Sequence, residues 1–318
     1  MTTERTVCVL GGSGFVGHHL CTRWIQLGYS VRVPTRSRAR RRDLLVLPGL
    51  SLIETNVHDP DVLRELFTGC GAVVNLVGIL NERGRKGQGF EHAHVDLARK
   101  VVEACAASGV TRLLHMSALK ADLPDAPSHY LRTKGEAERI VRGSDQVAAT
   151  IFRPSTIFGP DDSFVNRFAR LLRLPTPVFP LPRAGARFAP VFIGDVVEAF
   201  TRCLRDPHTV GESYELCGPR IYTLREIVAS IARASNLRRY IMSVPDALAR
   251  VQAGLMDFVP GKPFSTDNYL SLTVDSVCTQ DGLARLGISP TAFEAALSEL
   301  AAGALTQRYD RYRRLPRT

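Results

Sequence analysis

The stretch from Val7 to Gly17 constrains this chain more than any other part of its sequence. The apolar run from Val7 to Leu10 predicts a buried strand, and an apolar helix is predicted to follow it. Between them the glycines follow the spacing Gly11-x-x-Gly14-x-x-Gly17, which permits a tight turn, close approach of a ligand and close packing of the helix. Free N–H groups at the start of such a helix attract phosphate groups. We therefore predict a dinucleotide-phosphate site here, with a ligand-free glycine-rich turn as the alternative.

Predicted strands and helices alternate through the first half of the chain. Short apolar runs predict strands, and apolar residues at helical spacing predict the helices between them. Strands that alternate with helices in this way form a parallel sheet covered on both faces, so we predict an α/β fold with a Rossmann-type, doubly wound parallel sheet. The later predicted strands are Tyr29–Val33, Ser51–Glu54, Ala72–Leu76, Arg112–Ser117 and Ala149–Phe152, and the helices are Phe15–Leu27, Asp61–Phe67, Glu91–Ser108 and Tyr130–Arg142.

The second half of the chain is less regular. We predict that residues 1–160 form an NAD(P)-binding Rossmann domain and that residues 161–318 form a smaller, interleaved C-terminal lobe for substrate or partner. A strand at Ser213–Cys217 is expected to return from this lobe to the sheet. Thr223 can cap the next helix, and Glu226 completes a capping box.

Composition excludes several classes of protein. The chain is 45% apolar and 23% charged, and no apolar run nears the roughly 20 residues that span a bilayer. The seven cysteines are scattered without a C-x-x-C pair, so no disulfide framework or zinc site is expected. The start of the chain lacks the layout of a signal peptide. We predict a cytoplasmic protein, with the periphery of the inner membrane as an alternative.

The net charge of +10 favours an anionic ligand or surface as a partner. No nucleic-acid-binding module is visible, so nucleic acid is not expected. An anionic small molecule or membrane surface fits the same charge. The basic residues form two clusters, one at Arg32, Arg36, Arg38, Arg40, Arg41 and Arg42, the other at Arg308, Arg311, Arg313, Arg314 and Arg317.

The residue after the second strand decides which dinucleotide is expected. A carboxylate there binds the ribose 2′-hydroxyl of NAD, whereas arginine accommodates the 2′-phosphate of NADP. Here Val33-Pro34 is followed by Thr35-Arg36, and Asp43 comes too late in the chain to serve. We therefore predict NADP(H), with Arg36 gripping the phosphate through paired hydrogen bonds. A solvated basic loop is the alternative.

Three polar residues are predicted to carry chemistry. Tyr130 and Lys134 lie four residues apart and share one face of their predicted helix. Ser117 ends a predicted strand, at the sheet edge where open α/β folds bind ligands. A nearby ammonium is expected to lower the pKa of a tyrosine by about 1–3 units, which would let Tyr130 exchange a proton with a substrate oxygen. An exposed tyrosine beside a solvated lysine is the alternative.

The chain resembles the short-chain dehydrogenases/reductases of the extended or atypical kind over nearly its whole length. Within that family it is similar to the subgroup of the NADPH-binding accessory subunit of respiratory complex I and its bacterial relatives. The stretches that carry the resemblance are Gly11–Gly17, Val33–Arg36, Asn75–Leu80, Phe152–Pro160 and Val191–Val196, with the more specific late stretches Pro263–Asn268 and Asp275–Val277.

The resemblance also implies a set of cofactor contacts. Two positions depart from the family, because Asn56 stands where an aspartate is usual and His94 stands where many members have an asparagine. Because of His94, the resemblance does not decide whether a proton relay passes through that position. The implied contacts are Gly11, Ser13, Gly14, Phe15 and Val16 at the pyrophosphate, Asn56 and Val57 beside the adenine, Leu76, Val77 and Gly78 along the ribose side, Lys134 on the nicotinamide ribose, and Pro154 near the nicotinamide.

Two functions remain open. The first is an NADP(H)-dependent oxidoreductase acting on a carbonyl or hydroxyl of an apolar, quinone-like or isoprenoid-like small molecule; epimerisation or dehydration begins with the same hydride step. In the complex I subunit, NADPH is held for structure, so the resemblance also implies a second function. That function is a non-catalytic accessory or assembly protein beside a respiratory complex or membrane surface.

Several other residues have structural interpretations. His18-His19 and His92-x-His94 lack a third ligand, so no metal site is expected. Asp195 is expected to cap the helix Val196–Leu204, and Arg153 to enter an internal ion pair. Most of a group of aromatic residues are expected in the core, and some could line an apolar pocket: Phe164, Phe168, Phe179, Phe188 and Phe192.

Two further segments have an interpretation that involves ligands or partners. The loop Asn81–Gly89 could close over the cofactor or be an idle mobile loop. The segment Val244–Val259 predicts an amphipathic helix, for which packing on the lobe is favoured over docking on an anionic membrane or a complex. Its apolar side carries Leu248, Val251, Leu255 and Phe258.

Overall fold

The computed structural model describes residues 5–41, 43–259, 262 and 264–297. The described strands are β1 (Thr6–Leu10), β2 (Ser30–Thr35), β3 (Leu50–Glu54), β4 (Ala72–Asn75), β5 (Arg112–Met116), β6 (Ala148–Pro154), β7 (Ile157–Phe158), β8 (Val178–Pro182), β9 (Arg187–Phe188), β10 (Val191–Phe192), β11 (Ser213–Leu216), β12 (Tyr222–Thr223) and β13 (Tyr240–Val244). The described α-helices are α1 (Phe15–Gln26), α2 (Pro60–Phe67), α3 (Gln88–Glu91), α4 (Leu97–Ala107), α5 (His129–Arg142), α6 (Phe164–Leu171), α7 (Ile193–Arg205), α8 (Leu224–Ala234), α9 (Asp246–Met256), α10 (Thr266–Ser271) and α11 (Gly282–Arg285).

Seven of the strands form one parallel sheet in the order β11-β6-β5-β4-β1-β2-β3. Strand order reverses direction between β1 and β4, as it does in a doubly wound Rossmann sheet. The predicted fold class is therefore confirmed. The strand predicted near residue 213 is present as β11, which pairs with β6, while a domain boundary at residue 160 stays a prediction.

Helices cover both faces of this sheet. Side chains alternate along β1, so that Val7 and Val9 enter the core beside α1 and α7 while Cys8 and Leu10 enter the core beside α2, α4 and α5. On the first face, the indole Nε1 of Trp24 donates to the Thr201 hydroxyl at 3.0 Å. A sheet buried on both faces explains why its strands read as continuous apolar runs.

The second lobe has its own core between α6, α8 and the short strand pairs. Phe188 is buried there, and the other phenylalanines expected in this region pack against it in partly buried positions: Phe164, Phe168, Phe179 and Phe192. Thr223 and Glu226 form the predicted capping box at the start of α8.

On β6 of the main sheet, Arg153 forms the predicted ion pair, 2.5 Å from Glu138 and 2.7 Å from Asp122.

Two further expectations were wrong, one about the cysteines and one about Asp195. Cys217 and Cys278 form a disulfide across 61 residues of sequence, because Glu215 on β11 accepts the Thr279 N–H and brings that segment alongside the strand. Asp195 lies inside α7 and does not cap it. Its carboxylate instead accepts the backbone N–H of Thr291 at 2.7 Å and the Thr291 hydroxyl at 2.9 Å.

The helix α9 packs on the lobe, as favoured from the sequence, but its apolar side faces solvent. The small residues Ala249 and Ala253 face the protein, where they pack against Tyr269. No helix among the described residues is long and apolar enough to cross a membrane. The C-terminal arginines from Arg308 onward lie outside the described residues. The four side chains of the apolar stripe are 60–74% exposed: Leu248, Val251, Leu255 and Phe258.

Candidate active site

The glycine turn connects β1 to α1 as a compact loop. Gly11 has a φ of +78°, a conformation that L side chains rarely adopt, and the Gly14 N–H donates to its carbonyl at 2.9 Å. A side chain at Gly17 would collide with the backbone of Gly11 and Gly12. The first turn of α1 carries no acidic residue and no side-chain cap, so its N–H groups stay available to an anion.

The candidate adenosine contacts lie at the ends of β2 and β3. Arg36 directly follows β2 and is exposed. Glu54 ends β3, and its carboxylate accepts the N–H of Arg38 at 2.8 Å. Asn56 is exposed and accepts the His58 N–H at 3.1 Å, while Val57 packs against the core beside it. Cationic and amide side chains thus border this end of the site.

The backbone from Leu76 to Ile79 crosses the sheet edge after β4 and is held at several points. The Val77 N–H donates to the Asn75 side chain at 3.1 Å, and the Ile79 N–H donates to His94 Nε2 at 3.1 Å. A side-chain carbon at Gly78 would lie 3.1 Å from the Nζ of Lys134. This strap is therefore positioned by side chains from β4, α5 and the helical segment after α3.

That helical segment is not the single α-helix predicted for residues 91–108. A π-helical turn, His92–Asp96, joins α3 to α4. Such turns are rare and frequently occur at functional sites. Here the turn carries His94, which is buried beside the strap and beside Tyr130, with ring centroids 5.7 Å apart.

His94 is neutral and its tautomer follows from its partners. Burial, with smaller contributions from Lys134 and His115, lowers the pKa of His94 to about 2. Because Nε2 accepts the Ile79 N–H, the proton lies on Nδ1 and points to the Thr133 hydroxyl at 2.8 Å. Thr133 in turn donates to the His129 carbonyl at 2.8 Å. His94 thus ties the strap to α5 as a neutral donor and acceptor.

Lys134 lies at the carboxyl ends of β4 and β5. Only 4% of it is exposed, and its Nζ donates to the carbonyls of Met116 at 3.0 Å and Val77 at 3.2 Å. Burial lowers the pKa of Lys134 to about 8, with Glu138 acting in the opposite direction. An ammonium group has three donors. Within the described residues, two of them are used.

Ser117 directly follows Met116 and is 3% exposed. Its hydroxyl has no hydrogen-bond partner among the described residues. A buried hydroxyl without a partner costs about 1–3 kcal/mol, so such groups call for an explanation. Tyr130, one turn before Lys134 on α5, is half-buried and packs with Ala118 and Leu131.

The pKa of Tyr130 moves in the direction opposite to the expected one. Burial, with an added contribution from the Asp267 carboxylate, raises it to about 12. The effect of the Lys134 ammonium was overestimated from sequence, because the spacing of two residues on a helix does not reveal the acid that packs against them. Tyr130 is therefore a protonated phenol at neutral pH.

Asp267 is the residue at this site that sequence reasoning missed. It lies on α10, in the late stretch whose family resemblance was noted, but no sequence spacing connects it with Tyr130. Its carboxylate accepts the backbone N–H of His129 at 2.6 Å and of Tyr130 at 3.2 Å. Carboxylates at the start of a helix are stabilised by its free N–H groups and its dipole. The late stretch is thereby fixed on the helix that carries Tyr130 and Lys134.

The loop from Asn81 to Gly89 also packs on the late part of the chain. The Nδ2 of Asn81 donates to the Lys262 carbonyl at 3.3 Å, and the Lys262 Nζ donates to the Gly84 carbonyl at 2.5 Å. Inside the loop, Glu82 accepts the N–H groups of Gly87 and Gly89. These contacts fix the loop against the late part of the chain, and the loop shares a cleft with Phe90, His129 and Asp267.

The candidate residues thus gather at the carboxyl edge of the sheet in three groups, at the glycine turn, at the ends of β2 and β3, and around β4, β5 and α5. The third group comprises Leu76, Val77, Gly78, Ser117, Tyr130 and Lys134, with Pro154 at the end of the neighbouring β6.

In the part of the chain that the structure describes, no three His, Cys, Asp or Glu side chains converge in a way that could hold a metal ion.

Comparison with known proteins identifies this arrangement. The model of the NAD dependent epimerase/dehydratase family matches residues 7–217, from β1 to the end of β11. The chain belongs to this family. The resemblance to extended short-chain dehydrogenases/reductases seen in the sequence is confirmed, and so is the NAD(P)-binding fold of the epimerase/dehydratase family.

The relatives of this epimerase/dehydratase protein have names that differ in function. It is 30% identical over 295 residues to NADH dehydrogenase (ubiquinone) 1 alpha subcomplex subunit 9 of Mus musculus, covering 90% of this chain and 77% of that one. It is 29% identical to the 40 kDa subunit of NADH-ubiquinone oxidoreductase of Neurospora crassa, covering 79% of this chain and 66% of that one. It is 28% identical to ceramide reductase of Caulobacter vibrioides, covering 79% of this chain and 77% of that one.

A solved structure supports the fold alone. A dTDP-glucose 4,6-dehydratase from Streptomyces venezuelae, crystallised with NAD, superposes with a TM-score of 0.74 at 18% identity. The match covers 95% of this chain and 98% of that one. The similarity therefore extends over nearly the whole fold of this chain.

Proposed function

We propose that the protein is an NADP(H)-dependent oxidoreductase that reduces a carbonyl of an apolar small molecule, with Ser117, Tyr130 and Lys134 as catalytic residues. The observation that carries the proposal is the buried Ser117 hydroxyl, which has no partner among the described residues and follows the carbonyl that Lys134 binds. Ligands bind at this edge of a Rossmann sheet. A substrate oxygen there would accept the hydrogen bond that the Ser117 hydroxyl lacks, near the buried Lys134 ammonium.

The glycine turn and the strap fit a dinucleotide. The open first turn of α1 would receive the pyrophosphate on its N–H groups, with Ser13, Phe15 and Val16 around it. Leu76 to Gly78 would border the ribose, and the third donor of Lys134 would bind a ribose hydroxyl. When bound, NADP(H) supplies the hydride for the reaction. Pro154, at the end of β6, would flank the nicotinamide.

NADP(H) is proposed over NAD(H) because of Arg36. It is exposed directly after β2, and the nearby Glu54 carboxylate is engaged by the N–H of Arg38. A guanidinium there can bind a 2′-phosphate bidentately, whereas a carboxylate would repel it. Asn56 and Val57 would lie beside the adenine.

The protonation states favour reduction. Tyr130, with its pKa raised to about 12, holds its proton at neutral pH and can donate it to the oxygen of a carbonyl substrate. The Ser117 hydroxyl can donate a hydrogen bond to the same oxygen. The Lys134 ammonium, one turn further along α5, would offset part of the charge of the phenolate that remains after proton transfer. We propose an apolar substrate, quinone-like or isoprenoid-like, on the basis of the phenylalanines clustered in the sequence of the lobe, which pack against its core.

The proposal is tested by following NADPH absorbance while the purified protein is offered quinones, ketones, aldehydes and long-chain keto-lipids. Turnover of at least one of them, lost in Tyr130→Phe while NADPH binding is kept, is the expected result. Tight NADPH binding without turnover of any compound would overturn it.

That second result would support the other function, a non-catalytic accessory protein that holds NADPH beside a respiratory complex. The Mus musculus and Neurospora crassa relatives, which are named as subunits of NADH:ubiquinone oxidoreductase, favour this candidate. In that case the protein should associate with NADH:ubiquinone oxidoreductase at the inner membrane. Removing NADPH should then weaken the association. Under the first function the protein would act in the cytoplasm or at the membrane periphery.

A further inference from the structure

The exposed apolar stripe of α9 has no counterpart elsewhere in the described helices. A surface helix normally turns its large apolar side chains toward the core. On α9 the order is reversed, with alanines inward and Leu248, Val251 and Leu255 outward, and the stripe continues past the helix end to Phe258 and Val259. Contiguous apolar surface of this kind marks an interaction site.

Cationic side chains border the stripe. The guanidinium of Arg85 lies over the Phe258 ring, 4.9 Å from its centroid. Arg83 and Lys86 are exposed in the same loop, and Arg250 is exposed on α9 itself. Apolar side chains and cations are thus presented side by side.

The carboxylates of the same segments are engaged within the protein. The Asp257 side chain is 5% exposed, accepts the Thr266 hydroxyl at 2.7 Å and lies 3.6 Å from Arg85. Asp246 accepts the Tyr269 hydroxyl at 2.7 Å and pairs with Arg183. Glu82 is buried and accepts two loop N–H groups. The uncompensated charge that this surface presents is therefore positive.

We propose that the α9 stripe and the cations around it form a docking surface for an anionic lipid bilayer. A bilayer offers phosphate groups at the headgroup level and hydrocarbon directly beneath, which matches the two chemistries of this surface. The leucines and Phe258 would enter the boundary between headgroups and acyl chains. Arg83, Lys86 and Arg250 would remain at the phosphates, as long cationic side chains do.

This surface adjoins the candidate active site. A cleft of about 120 Å³ is lined by residues of both, including Arg85, Asp257 and Lys262 on one side and His129 and Asp267 on the other. Docking would bring a substrate with a hydrocarbon tail to this cleft directly from the membrane, and this part of the inference rests on the proposed function. The docking itself requires no turnover.

Vesicle co-sedimentation of the full chain tests the proposal. We expect the protein to sediment with vesicles of phosphatidylcholine mixed with phosphatidylglycerol, and far less with phosphatidylcholine alone. Leu248→Ser/Leu255→Ser should weaken the partition at least about tenfold, because it removes the inserted apolar groups. Arg83→Glu/Lys86→Glu should weaken it about tenfold or more, an effect that added salt masks.

The matched control is Val46→Ser/Val210→Ser, which removes two exposed apolar side chains elsewhere and should leave the partition unchanged. The proposal is overturned if the wild-type protein ignores anionic vesicles. It is also overturned if Leu248→Ser/Leu255→Ser binds them like wild type, because another part of the chain would then be responsible. If light scattering shows a lipid-free dimer that this variant converts to a monomer, the stripe binds a second copy instead. Absence of turnover with every substrate would leave these results unaffected.

Discussion

The carboxylate of Asp267 accepts a hydrogen bond from the backbone N–H of Tyr130 at 3.2 Å, although 137 residues separate the two in sequence. The same carboxylate accepts the N–H of His129, so it occupies the amino end of α5. The contact places a negative charge beside a phenol and contributes to the raised pKa of Tyr130. A late segment of the chain thereby influences the protonation of a candidate catalytic residue.

Replacing Asp267 with asparagine should lower the pKa of Tyr130 by about one unit, because the amide removes the negative charge and can still accept one N–H. Alkaline titration of tyrosinate absorbance measures this without turnover, when each protein is compared with its Tyr130→Phe counterpart. Identical titration of Tyr130 in Asp267→Asn and wild type would show that the carboxylate has no such influence.

Ser117→Ala should reduce turnover by about 10²-fold or more, yet keep or raise the free energy of unfolding by up to about 1 kcal/mol, since the hydroxyl it removes is buried without a partner. The measurements are steady-state rates and urea denaturation. Ser230→Ala is the matched control. Its buried hydroxyl accepts from Arg233 at 3.0 Å, so that variant should lose stability and keep its turnover. A large loss of stability in Ser117→Ala would contradict the assignment.

Arg36→Asp should weaken NADPH binding by about 10- to 100-fold and leave NADH binding equal or stronger, because the charge-assisted hydrogen bonds to the 2′-phosphate are lost and repulsion replaces them. Fluorescence titration with both nucleotides measures the change. Arg40→Asp, a substitution of another exposed arginine in the same loop, serves as the control and should keep the preference. Equal affinity of the wild-type protein for NADH and NADPH would contradict the role of Arg36.

Two buried histidines should make the protein less stable in mild acid. Burial lowers the pKa of His94 to about 2 and that of His115 to about 3, so the unfolded chain binds more protons below its histidine pKa. Their contribution is complete above about pH 6.5 and is lost as pH falls, by about 2 kcal/mol in sum between about pH 6.5 and 5.5. Urea denaturation at each pH measures it. His94→Asn should remove about half of this dependence, and an unchanged slope would contradict the neutral, buried state of His94.

Glu138→Gln should lower the free energy of unfolding by about 3 kcal/mol, because it leaves the Arg153 guanidinium buried without its main partner. The side chains of Glu138 and Arg153 are 3% and 12% exposed, and their nearest atoms are 2.5 Å apart. Glu136→Gln, two residues earlier on the same helix, breaks an exposed pair with Arg139 at the same distance and should cost less than about 1 kcal/mol. Equal losses in both variants by urea denaturation would contradict this reasoning.

Much of the fold could be predicted from local sequence patterns. The predicted helix Asp61–Phe67 and strand Arg112–Ser117 each differ from α2 and β5 by one residue at one end. Such elements follow from apolar periodicity and from stop signals such as glycine, which act over a few residues. The position of Ser117 at the edge of the sheet followed from the same patterns.

The misjudged features depend on contacts between distant segments. On the π-helical turn, His94 bonds to Ile79 of the strap and to the Thr133 hydroxyl, and neither contact is visible in the spacing of that helix. The Cys217–Cys278 disulfide joins segments that meet only when the chain after residue 278 packs on β11. For α9 the sequence pattern revealed an apolar side but not whether that side packs on the protein or faces solvent.

The sequence by itself determined the parallel sheet, the glycine turn and the order in which the candidate catalytic residues reach its edge, because these depend on periodicity and spacing within short segments. The tertiary structure alone decided the protonation of Tyr130 and the side of α9 that faces solvent. Both depend on burial and on charges brought from elsewhere in the chain, and the free energy of a buried group depends on neighbours in space rather than in sequence.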